Sequence, residues 1–123
     1  MNYLKLFVVG TIASLALAQD ASANPAARIQ VSDIKPLLIR AIDQGSAQGV
    51  LVGETATYVR QKFESTAPIE IDVRTLYALP QPGCSRLEVT TRQKDVLEKA
   101  KRGDKELTYQ VSYCRDARFP EKR

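Results

Sequence analysis

Three groups of residues in this chain have types and spacings that bear on chemistry. They are the cysteines Cys84 and Cys114, the carboxylates Glu70 and Asp72 two positions apart, and the basic residues between Arg92 and Lys105. Histidine is absent from the sequence. That removes the commonest general base near neutral pH and the commonest transition-metal ligand. Ser–His and Cys–His nucleophile pairs are excluded outright. Zinc would have to be held by two cysteines and carboxylates, a poor donor set, so no metal is expected. There is no P-loop, dinucleotide-binding glycine pattern or EF-hand loop, and no other cofactor is expected. Nor is there a Cys-x-x-Cys, which favours a structural bridge over thiol–disulfide catalysis.

Glu70 and Asp72 are the main paired carboxylates. Such a pair performs acid–base work only where its surroundings drive the two pKa values apart. Here they alternate with Ile69, Ile71 and Val73, which marks the solvated face of an amphipathic strand, beside Arg74 and across from Arg86 or Glu88. No catalytic residue is assigned, and the chain is not read as an enzyme. The stretch Arg92–Lys105 holds six basic and three acidic residues. Lys99, Lys101 and Arg102 are its candidate contacts for a polyanion or a partner. Asp95, Glu98 and Asp104 are interleaved and no aromatic residue is present to stack on bases, which argues against nucleic acid and leaves a solvated face as the competing reading. Tyr77, Tyr109, Tyr113 and Phe119 read as core or core edge, with a ligand surface as the alternative.

The elements that must position these groups begin after an address. Met1–Lys5 is a short basic start, and Leu6–Ala18 is an apolar run of signal-peptide length, too short to span a bilayer. Ala16-Leu17-Ala18 and Ala21-Ser22-Ala23 are both small-x-small cleavage candidates, and the second is favoured. The organisation expected is a cleaved signal peptide 1–23, a flexible leader 24–32, a single α+β domain 33–119 and a basic tail 120–123. The mature product is expected to be soluble and periplasmic or secreted, with no span left in the membrane. Ile34, Leu37, Leu38, Ala41 and Ile42 make one apolar helix face, capped by Asp33 or Lys35 and ended by Gly45. A second helix is expected over about Gly53–Phe63, with Val52, Ala56, Val59 and Phe63 on one face; Gly49–Gly53 is open to being a short strand. Three strands follow: Ile69 toward Tyr77, Arg86–Arg92 and Glu106–Cys114. The fold class expected is therefore α+β, two N-terminal helices packed on a three-stranded antiparallel meander whose last two strands are joined by a disulfide. Asp95-Val96-Leu97-Glu98 reads as a helix start closed by Gly103, which makes the far end of the hairpin a short helical turn or a loop.

The cysteines set the register of that hairpin. Placing Cys84 opposite Cys114 puts Leu87 against Val111, Val89 against Tyr109 and Thr91 against Leu107. The other face receives Arg86 with Ser112, Glu88 with Gln110 and Thr90 with Thr108. A slip of one residue would turn one arm's apolar set to the wrong face, so the bridge and the hydrophobic pattern select the same register. Closing this loop stabilises the fold by about 3–4 kcal/mol in the chain-entropy description.

The run Ala67–Val73, the turn Leu79-Pro80-Gln81-Pro82-Gly83-Cys84, and the strands Leu87–Thr91 and Tyr109–Cys114 resemble small exported proteins of Gram-negative bacteria, some encoded with conjugative-transfer or type IV secretion genes. The resemblance covers most of the mature chain and carries no catalytic residue. It implies a role in an envelope-spanning assembly. The function expected is a non-catalytic periplasmic accessory or interaction protein whose partner is another envelope protein. The alternative is a small binding or inhibitor module for an envelope ligand, polyanion or enzyme. Non-reducing peptide mapping of exported protein is expected to recover Cys84 and Cys114 in one cross-linked fragment; free thiols at both positions would remove the register.

Overall fold

The computed structural model describes residues 27–121. The expected signal peptide, the start of the leader and the last two residues of the basic tail lie outside the described residues. The element order is β1 (Ile29–Val31), α1 (Lys35–Gln44), β2 (Ser46–Leu51), α2 (Glu54–Lys62), β3 (Glu70–Ala78), β4 (Cys84–Glu98) and β5 (Lys101–Cys114). The class is α+β, but the sheet corrects the expectation of a three-stranded antiparallel meander. It has five strands in the order β1-β2-β3-β4-β5 and is mixed, since β1 runs parallel to β2 and every other pair is antiparallel.

Both strands beyond the expected meander have a physical reason for being hard to read, although β2 includes Gly49–Leu51 of the segment open to being a short strand. α1 supplies the crossover that a parallel β1–β2 pair requires. It lays Leu37, Leu38 and Ala41 directly on the sheet. β2 therefore buries small residues, Ala47 and Gly49, where a strand is usually recognised by large ones. A Cβ on Gly49 would stand 2.7 Å from Leu37 Cδ1 and 3.0 Å from the Ile29 carbonyl oxygen, so the glycine is a condition of the helix lying this close. β1 is three residues long and falls in the segment expected to be leader.

The helices form for the reasons their sequences suggest. The N-cap of α1 is Ile34, neither Asp33 nor Lys35 as expected, and no side chain caps it; Asp33 Oδ1 accepts from the Lys35 N–H at 2.8 Å just ahead of it, and Pro36 sits in the first turn, where its missing N–H costs nothing. Gly45 closes α1 at φ 94°, donating its N–H to the Ala41 carbonyl. Gly53, at φ 91°, precedes α2, whose Glu54 and terminal Arg60 and Lys62 complement the helix dipole.

The hairpin follows the expected register throughout its proximal half: Cys84 faces Cys114, Leu87 faces Val111, Val89 faces Tyr109 and Thr91 faces Leu107. Cys84 and Cys114 form a disulfide, both buried. The distal half corrects the expectation of a helical turn or loop. β4 and β5 continue to Glu98 and Lys101, and the connection is the two residues Lys99 and Ala100, at φ 54° and 65°. Two-residue hairpin loops of this kind need positive φ at both positions and usually advertise it with Asn-Gly. Lys-Ala carries no such signal. A bulge between Gln93 and Val96, with Asp95 at φ 55°, breaks the period of two and gives Asp95–Glu98 its helical look.

The core lies between α1 and the inner face of the sheet: Leu37, Leu38 and Ala41 above, Ile71, Val73, Leu87, Val89 and Tyr113 below. Gly49→Ala is expected to cost about 1–3 kcal/mol in urea unfolding, because Leu37 is fully buried and has nowhere to move. The added cost should shrink in a Leu37→Ala background; equal costs in both backgrounds would show that the close approach is not the cause.

Candidate functional site

One face of the sheet is covered by the helices and the other is open and polar. On the open face the carboxylates singled out from sequence are held by guanidinium groups. Asp72 Oδ1 accepts from Arg28 Nη1 at 2.7 Å and Asp72 Oδ2 from Arg92 Nη1 at 2.6 Å. Glu70 lies 3.7 Å from Arg28 Nε, Arg92 Nε also reaches Glu106 at 3.1 Å, and Arg74 pairs with Glu88 at 2.9 Å. Arg28 is 9% exposed and also donates to the Gly49 and Ile71 carbonyls, tying the chain ahead of β1 across two further strands. Burial alone would raise the Asp72 pKa, but hydrogen bonds from Arg28 and Arg92 and their charges outweigh it and hold the carboxyl below its ordinary value. A carboxylate so stabilised is a weak proton acceptor, and the shallow groove of about 320 Å³ around it is lined by side chains already paired with one another.

The covered face holds a different feature. α1 reaches only part of β4 and β5. Beyond it α2 stands over their distal halves and leaves an apolar groove of about 140 Å³ among Val59, Phe63, Ile69, Thr91, Val96 and Leu107. Four polar contacts build its wall. The Leu97 N–H donates to the Phe63 carbonyl at 2.8 Å, and Ser65 Oγ donates to the Lys94 carbonyl at 2.7 Å. Gln93 Nε2 donates to the Ala67 carbonyl at 3.0 Å, and Arg102 Nη1 to the Glu64 carbonyl at 2.9 Å. The bulge after Gln93 is what turns the Lys94 carbonyl toward Ser65 instead of into the ladder.

The groove opens at the edge of the sheet. Among the described residues β5 pairs only with β4, and every residue from Lys101 to Gln110 is exposed. Leu107 is 57% and Tyr109 42% exposed on the groove side. The basic residues named from sequence sit at the tip of this hairpin. Arg102 is committed to the Glu64 and Asp95 carbonyls, whereas Lys99 in the turn and Lys101 just after it stand exposed. Arg115, next to Cys114, pairs with Asp43 at the cysteine end, away from that tip. The aromatics disperse: Tyr113 is core and meets Phe119 edge-on at 5.2 Å, Tyr77 is exposed, and only Tyr109 borders the groove side of the edge.

Arg28 and the groove wall escaped sequence reasoning. The Arg28 partner is 44 positions away, and no local pattern announces such a pair. Phe63 and Val59 read as a helix face, which they are; that the face is only half covered follows from where α1 ends.

No family model, curated protein or solved structure matches the chain. Among the described residues no group of Cys, Asp and Glu is placed to hold a metal ion, and no helix is long and apolar enough to cross a membrane.

Asp72→Asn is expected to lower unfolding stability by about 1–2 kcal/mol at neutral pH, since it weakens two charge-assisted hydrogen bonds. The folded carboxyl binds its proton less readily than the unfolded one. Its contribution is therefore complete above the ordinary value of 3.8 and vanishes as pH falls through the lower folded value. Urea unfolding at pH 7 and pH 2 checks this: an Asp72→Asn deficit of the same size at both would show that ionisation plays no part.

Proposed function

We propose that the protein is an exported, non-catalytic interaction protein of the bacterial envelope, and that it meets another envelope protein at the open edge of β5 and the groove beside it. The observation that carries this reading is the edge itself. A long strand whose backbone groups on one side find no strand among the described residues, next to exposed Leu107 and Tyr109, is a surface that folded proteins usually blunt or cover. Strand addition at such an edge is a common mode of recognition. The chemistry elsewhere supports a binding role over a catalytic one: histidine is absent from the sequence, and Asp72 is held as a paired anion. The N-terminal apolar run supports export. The resemblance of the turn and strand motifs to exported proteins encoded with conjugative-transfer and type IV secretion genes supports a partner within an envelope-spanning assembly.

Immobilised mature protein is expected to recover one envelope protein in stoichiometric amount from a detergent extract of its host. Leu107→Lys should reduce recovery at least tenfold while leaving stability within about 0.5 kcal/mol, because the side chain is largely exposed. Undiminished recovery by that variant would rule out the β5 edge, and recovery of nothing by either protein would rule out the function.

A further inference from the structure

The edge also carries the chemistry of what would bind it, given that the interaction reading holds. Register alternation decides where its backbone groups point. Cys84 and Cys114 are a close pair, 3.9 Å between Cα atoms, which is the non-hydrogen-bonded kind. Counting by twos along the unbroken ladder, Glu106, Thr108 and Gln110 are also non-hydrogen-bonded against β4. Their N–H and C=O groups therefore face away from β4, toward the open side. Lys105, Leu107 and Tyr109, which alternate with them, stand on the groove side of the sheet. From Glu106 to Ser112 the strand has no proline and no bulge, and Glu106 is its only charge, so the usual devices that protect an edge are missing.

Charge is unbalanced beside it. Lys105 pairs with Glu98, and Lys62 and Lys99 lie near enough for their charges to act on the same carboxylate. The hydrogen bond from Lys105 Nζ, at 2.7 Å, and the three positive charges hold that carboxyl below its ordinary range. Lys62 and Lys105 also flank the Phe63 ring, with their ammonium nitrogens 5.9 and 6.0 Å from its centroid. Three ammonium groups against one carboxylate leave two positive charges over at the rim of an apolar groove.

We propose that this edge takes an extended segment of the partner as a sixth, antiparallel strand, reading apolar-x-apolar-x-acidic. The apolar side chains pack on Tyr109 and Leu107 at the mouth of the groove, and the acidic one meets Lys105 and Lys62. Cross-strand neighbours on one face lie within reach of each other at this spacing. A positive, aromatic-bordered surface could also rest on anionic lipid, but lipid headgroups offer no alternating row of donors and acceptors matched to the directed N–H and C=O groups at Glu106, Thr108 and Gln110.

The test uses the blocked synthetic peptide Thr-Val-Thr-Leu-Thr-Glu-Thr-Glu-Thr, titrated against the mature protein and followed by backbone amide shifts. Saturable shifts are expected along Glu106–Gln110. N-methylating the threonine amides that face β5 should abolish them, and N-methylating the leucine amide should not. The double variant Lys62→Glu/Lys105→Glu, at two exposed positions, should bind at least tenfold more weakly and should prefer the peptide with lysine in place of glutamate. Absence of shifts along the edge would overturn the proposal. So would phosphatidylglycerol vesicles binding the protein where the peptide does not, or a concentration-dependent dimer that excess peptide fails to dissociate. Partner recovery that survives Lys62→Glu/Lys105→Glu but fails with Leu107→Lys would overturn the acidic strand while leaving the interaction reading in place.

Discussion

The pairing of β4 with β5 is the constraint on which the remaining structure rests. β4 lies between β3 and β5 and pairs with both, so its register determines which residues of three strands face the helices. With Cys84 against Cys114, Leu87 and Val89 point to α1 while Glu88, Thr90 and Arg92 point to solvent. β3 then has no freedom: Ile71 and Val73 must join the core, and Asp72 and Arg74 must meet the open-face residues of β4. A shift of one residue anywhere in this set would bury arginines and expose the core, and the disulfide forbids it at the end where pairing begins.

Element lengths explain why the sheet is only partly covered. α1 has ten residues and spans about 15 Å. β5 has fourteen and spans about 46 Å. A helix of that length cannot roof strands of this one. α2 takes over near the hairpin tip, and the apolar groove lies between it and the distal strands, among Val59, Phe63, Ile69, Val96 and Leu107. The polar face needs no roof, because its charges neutralise one another in a chain running from Arg28 through Asp72 and Arg92 to Glu106. One face is thus closed by packing and the other by ion pairing, and among the described residues the β5 edge is left open.

The hairpin and both helices were legible because each writes its pairing in a local period. Leu87, Val89 and Thr91 alternate against Leu107, Tyr109 and Val111, and Ile34 to Ile42 repeat at helical spacing. What failed to show was structure made by small or irregular residues. Ala47 and Gly49 carry too little apolar surface to mark a strand, the Lys99-Ala100 turn lacks the usual glycine, and the Asp95 bulge counterfeits a helix cap. The candidate site was half legible. Lys99, Lys101 and Arg102 were found as a basic cluster, but the structure spends Arg102 on carbonyls and brings Lys62 and Lys105 to the groove in its place.

Residue order along this chain was enough to determine the partner of each cysteine, the face of each apolar residue in the proximal half of the hairpin and along the α1 stripe, and the lack of histidine chemistry. Those are properties of spacing and composition, and they act over a few residues or along one ladder. Only the tertiary structure decided that Gly49 lies under Leu37, that Arg28 closes on Asp72 across the sheet, and that the distal half of β5 has no second strand beside it among the described residues. Each of these depends on where one element ends relative to another, a length in space that no local pattern records.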